Sequence, residues 1–181
     1  MYANKLKRKG QSGRSMIEML GVLAIIGVLS AGGIAGYTMA MATFKTNKSM
    51  DMVQIISAQA KQLYGDDFTG ITVATMYQLG YLSSEYLKPG SLAAPVGQSP
   101  FGSTLTIASA SPYNNFTITV NDVPKAACVK LAQSYWGDST FFVSLKGAGA
   151  TLVTPAAPLT NASAAITFCS GATQNMVWTF K

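Results

Sequence analysis

No histidine occurs in the 181 residues. That absence removes the side chain that most often acts as general base near neutral pH and most often binds a metal. Charge is nearly as scarce: Asp, Glu, Lys and Arg make up 11% of the chain, against 49% aliphatic and aromatic residues. Such a chain is too apolar to be disordered and too sparsely charged for an ordinary cytosolic protein. There are two cysteines, Cys128 and Cys169, far apart and without a Cys-x-x-Cys spacing for metal or redox chemistry. The acidic residues offer little for catalysis. Asp66-Asp67 are adjacent and project differently, while Glu85 and Asp138 stand alone in turn-like segments. Gly147-Ala148-Gly149 lacks the lysine and the strand–turn–helix setting of a phosphate loop. These absences argue against an enzyme, and no cofactor or metal is expected.

The net charge is +6, yet its placement argues against nucleic acid as a primary partner. Lys5, Lys7, Arg8 and Lys9 crowd the start; without the first 13 residues the balance falls to nine cations against seven anions. The remaining charges are scattered, with no basic stripe interleaved with aromatics.

What the chain has instead is a long apolar run. Residues 19–44 carry no charged side chain. As a helix these 26 residues would reach about 39 Å, against a hydrocarbon core of about 30 Å. The basic residues before the run outnumber Lys45 and Lys48 just after it, which keeps the N-terminus in the cytoplasm and sends the remainder out. A cleavable secretory signal would have an apolar core of only about 7–15 residues. A plain signal-anchor helix fits the length, but does not explain why Glu18 opens the run. A charge inside a spanning segment costs about 2.5–3.5 kcal/mol on insertion scales and marks a functional residue by default.

Gly13-Arg14-Ser15-Met16-Ile17-Glu18, followed by MLGVLAIIGVL, resembles the type IV prepilin signature. That signature is a short basic leader ending in glycine, a glutamate at the fifth mature position and an apolar helix; Ala24-Ile25-Ile26-Gly27 stands in the family's register. The resemblance covers about residues 13–36. It implies cleavage after Gly13 by a membrane-embedded prepilin peptidase, usually followed by methylation of the new amino terminus. It also implies that Glu18 neutralises the terminal ammonium of a neighbouring subunit during assembly. Physical chemistry agrees, since a carboxylate among packed apolar helices needs a cationic partner. One acid and one amine per subunit give a head-to-tail register, hence a helical homopolymer. The chain departs from the family at Arg14, where members usually begin with Phe, Met or another apolar residue. That guanidinium either adds a second cation near Glu18 or anchors the terminus to anionic lipid. Gly21, Gly27, Gly32, Gly33 and Gly36 interrupt the run, and no proline precedes Pro89. Gly27, Gly32 and Gly36 are read as helix-packing positions, with Gly32 and Gly36 forming a small-xxx-small face.

Beyond residue 44 the pattern turns amphipathic. Val53, Ile56, Ala60 and Leu63 recur at helical spacing, with Lys45, Lys48, Gln54 and Lys61 between them, and Gly65-Asp66-Asp67 closes the segment. Three parts are expected: a basic leader 1–13, a long helix 14–64 spanning the membrane over 19–44, and an extracytoplasmic head 65–181. In the head, 71–79 reads as a short helix closed by Gly80. Segments 105–107, 116–120, 140–145, 166–168 and 176–180 read as strands, rich in Thr, Val, Ile and Phe. The fold class is α+β: a long N-terminal helix packed on an antiparallel sheet, pilin-like. Asp122 is placed as the cap of a helix with Pro124 in its first turn, and Pro124, Cys128, Leu131 and Tyr135 on one face. Asn115-Phe116-Thr117 and Asn161-Ala162-Ser163 match glycan acceptor triplets that also arise by chance.

A helix carrying the first of two C-terminal cysteines is similar to what type IVb pilins show. If Cys128 and Cys169 join, the closed loop is worth about 4 kcal/mol; the alternative is two buried thiols. The resemblance implies a structural pilus subunit for adhesion, aggregation or conjugation. It would wait in the inner membrane and then move to a cell-surface fibre, with an assembly ATPase and an inner-membrane platform as partners. The alternatives are a minor pilin or type II secretion pseudopilin, and a bitopic membrane-anchored binding protein.

Overall fold

A computed structural model describes residues 16–110, 113–147 and 152–181. The leader and the expected processing site, Gly13 and Arg14, lie outside the described residues. The chain divides into two compact units, one ending at Met41 and the other running Ala42–Lys181.

Helix α1 (Met16–Tyr64) contributes to both units. Within the larger unit it buries Thr46, Ser49, Met52, Val53, Ile56, Ser57 and Ala60. This is the three-and-four spacing expected of a face packed on a core. Leu63, expected on the same face, is half-buried. The helix stops at Gly65, whose φ of +63° is open to glycine at no steric cost and whose N–H bonds the Lys61 carbonyl at 2.9 Å.

After α1 come a short helix α2 (Val73–Gln78) and a 3-10 turn (Ser84–Tyr86). Thr72 and Thr75 cap α2 reciprocally, and Gly80 follows its end, as the sequence suggests. The sheet then forms from β1 (Gly97–Gln98), β2 (Thr104–Ala110), β3 (Asn115–Pro124), β4 (Phe142–Lys146), β5 (Leu152–Val153) and β6 (Thr173–Phe180). Helix α3 (Lys125–Ala132) follows β3, and α4 (Ala162–Phe168) precedes β6. All pairings are antiparallel, in the order β1-β2-β3-β6-β4-β5. The expected fold class is therefore the observed one. Alternate residues face the core: Phe116, Ile118 and Val120 on β3, and Met176, Trp178 and Phe180 on β6. They share one apolar core with Met52, Val53, Ile56 and Ala60 of α1. Where β1 crosses β2, a Cβ on Gly97 would overlap the Leu105 carbonyl oxygen, so only glycine permits that pairing.

Four expectations fail locally. Segment 166–168 is helical. Asn161 accepts from the Ala164 N–H at 2.8 Å and nucleates α4 through an alanine-rich first turn, overriding three strand-prone residues. Asp122 caps nothing. It sits in a β-bulge at φ +49°, its N–H donating to Asn175, while Pro124 itself precedes the first turn of α3 without a side-chain cap. Tyr135 is 77% exposed; α3 has already ended, and Trp136 turns inward in its place, donating its indole N–H to the Leu131 carbonyl. Strand β4 begins two residues later than expected. Asp138 accepts from the Thr140 N–H at 2.9 Å and its hydroxyl at 2.5 Å, holding that stretch in a turn.

Candidate assembly surface

Among the described residues, the head core does not account for the apolar first part of α1. In the first part of α1, Met16, Ile17, Met19, Leu20 and the large apolar residues through Met39 are each between 53% and 83% exposed. Residues 19–44 include no charge to define a polar face. A helix that is apolar all round needs an apolar medium on every side. The helix is long and apolar enough to cross a membrane.

Glu18 lies in the first turn of the described helix, exposed. Among the described residues it has no ion-pair partner. In the first turn a carboxylate also complements the helix dipole, a favourable but small term of about 0.3–1 kcal/mol. At Gly21, Gly27, Gly32, Gly33 and Gly36 an added Cβ would meet nothing within 4 Å. Nothing among the described residues therefore requires glycine at these positions. Gly32 and Gly36 stack one turn apart, whereas Gly27 lies roughly 140° around the axis from Gly32 at 3.6 residues per turn. The three expected packing glycines thus divide between two faces.

In the head, Cys128 on α3 and Cys169 at the end of α4 are disulfide-bonded, with Cα atoms 6.0 Å apart and both residues fully buried. The Gln174 amide at the start of β6 donates to the Cys128 sulfur. The bridge thereby ties α3, α4 and the entry to β6 at one point. Polar side chains fix the head end of α1 as well. Lys48 pairs with Glu85 at 2.7 Å, and Lys130 donates to Asn47 at 2.7 Å. The Lys48 hydrogen bond holds the Glu85 carboxyl below its usual pKa range. The Thr140 hydroxyl does the same for Asp138, and that of Thr69 for Asp67.

Sequence reasoning did not find a cleft of about 810 Å³ between the end of α3 and residues 153–160. Trp136, Phe142, Val153 and Leu159 line its apolar wall, and Asp138 is the one carboxylate lining it among the described residues. Trp136 meets the buried Trp178 edge-on behind it, ring centroids 5.3 Å apart. No local motif announces this cleft, because its walls are brought together only by the sheet.

The sequence model of the Bundlin family matches residues 36–181. The toxin coregulated pilin of Vibrio cholerae is 26% identical over 164 residues, which cover 88% of this chain and 73% of that protein. The same pilin from V. cholerae serotype O1 El Tor Inaba is 26% identical over 145 residues, covering 77% and 64% respectively. Among solved structures, a type IVb pilin from Salmonella typhi aligns with a TM-score of 0.53 at 22% identity, over 73% of this chain and 96% of its own. The type IV pilin TcpA from V. cholerae El Tor biotype aligns at 0.50 and 18%, over 76% and 98%. At these identities the structural likeness speaks to fold.

Proposed function

This chain belongs to the bundlin family and is a type IV pilin, and from that premise we propose how it is processed and polymerised. Prepilin peptidase cuts after Gly13, leaving Arg14 as the first mature residue. Residues 19–44 hold the subunit in the inner membrane until assembly machinery, an ATPase and a membrane platform, moves it into a fibre at the cell surface. There the helix exchanges lipid for the helices of neighbouring copies. Glu18, excluded from water in that bundle, pairs with the terminal ammonium of the adjacent subunit. Removing one partner of a buried pair costs about 3–5 kcal/mol, enough to set the register of each addition. Gly32 and Gly36 let a neighbouring helix approach closely on one face, and Gly27 does so on another. The fibre then presents the heads for adhesion, aggregation or conjugation.

The observation that carries this reading is the exposed apolar helix opened by a single carboxylate. The test is Glu18→Ala. The variant should be cleaved to the Arg14 terminus, as read by N-terminal sequencing, while the yield of sheared fibres falls at least tenfold. Normal fibre yield would refute the assembly role; an intact leader would refute the processing step.

A further inference from the structure

The apolar run ends at Phe44, and the next residue is Lys45, half-buried. Two positions further, Asn47 accepts the 2.7 Å hydrogen bond from Lys130, which α3 delivers from 83 residues away. At about 1.5 Å rise per residue, Asn47 stands roughly 5 Å beyond the end of the run. A bilayer of about 40–45 Å with a hydrocarbon core of about 30 Å leaves a headgroup layer of that depth on each side. Lys48, at the same level, is neutralised by Glu85. Lys45 and Lys130 have no carboxylate within ion-pair distance among the described residues. Asn47 is a neutral acceptor and leaves the charge of Lys130 whole. Asp51, one turn further along, acts on Tyr86, whose phenol is pushed up by burial, then by Glu85 and by Asp51.

We propose that Lys45 and Lys130 dock the head onto the phosphates of anionic phospholipid headgroups while the subunit waits in the membrane. The proposal rests on the reading that residues 19–44 span the bilayer. Lysine stems are suited to the position, lying along apolar surface while the ammonium reaches the phosphate layer. Because one lysine belongs to α1 and the other to α3, two contacts fix the rotation of the head over the lipid as well as its height. Each lysine near an anionic surface is worth about fivefold in affinity. Extraction into a fibre must break both contacts.

The test uses the full chain in vesicles of phosphatidylcholine with or without phosphatidylglycerol, doped with dansyl-labelled headgroups. Its only two tryptophans, Trp136 and Trp178, lie in the head and serve as energy donors. Transfer should rise with phosphatidylglycerol and fall in 0.5 M NaCl. The Lys45→Gln/Lys130→Gln double variant should lose the rise, while Lys125→Gln, at the opposite end of α3, should keep it. Equal transfer in both lipids, or a wild-type rise in the double variant, overturns the dock. Reversal by sodium phosphate beyond NaCl of matched ionic strength would reassign the lysines to free phosphate and overturn it too. A chain that fails to float with either vesicle sinks the membrane-spanning reading itself; one that floats without lipid dependence sinks the dock alone.

Discussion

The two units of this chain use the same kinds of residue to opposite ends. In the unit Ala42–Lys181, Met52, Ile56, Phe116, Trp178 and Phe180 are almost completely buried. In the unit ending at Met41, Leu20, Leu23, Ile25 and Leu29 are more than half exposed. Apolar surface is driven out of water at roughly 25 cal/mol per Å² wherever it lies. The head satisfies that drive within its own chain. The first part of α1 leaves it unsatisfied among the described residues. Under the proposed function, stability and assembly are thus written in separate stretches of sequence, and substitutions should separate them.

The largest effect is expected from a matched pair of truncations. Trp178→Ala, at the centre of the core, should destabilise the head by about 5 kcal/mol. Leu23→Ala should leave its melting temperature unchanged, as read by thermal unfolding of the detergent-held subunit. A shift caused by Leu23→Ala would break the division. Next, replacing Cys128 and Cys169 by serine should lower head stability by about 4 kcal/mol; denaturant titration with and without reductant checks this. Smaller again, Gly32→Ala should strengthen the isolated helix by about 1 kcal/mol, since the added methyl meets open space. The same change should reduce fibre yield, because the methyl would separate neighbouring helices. Improved helicity together with normal fibres would mean that close approach is not the reason for glycine there.

The smallest effect concerns Glu85. Its folded pKa is depressed, first by the Lys48 hydrogen bond, so its contribution is present above the unfolded carboxylate value. That contribution is lost as pH falls through the folded value. Being a surface pair, it is worth less than about 1 kcal/mol. Glu85→Gln should flatten this part of the acid limb of a stability–pH curve without touching fibre assembly.

Legibility in sequence followed range. The apolar run, the amphipathic face of α1 and the strands around Ile107, Ile118, Leu145 and Trp178 are local patterns, and they were readable. Segment 166–168 misled because strand propensity over three residues is weaker than a cap and a run of alanines. Asp122 misled because a bulge set by pairing with β6 is invisible from one strand. The two-residue strands β1 and β5 carry too few residues for a period. Lys130 meeting Asn47, and Lys48 meeting Glu85, depend on the finished fold. For the assembly surface the reverse holds. Glu18 and the glycines stand out in sequence alone, and the fold, which sets no described residue against the glycines' open sides or in an ion pair with Glu18, adds little to them.

Strand β6 joins β3 on one side and β4 on the other, and Cys169 lies just before it. Without β6, no described pairing would join β1-β2-β3 to β4-β5. The strand that completes the sheet and the cysteine that completes the bridge therefore lie within a few residues of each other, so a single short stretch near β6 closes the head in two ways.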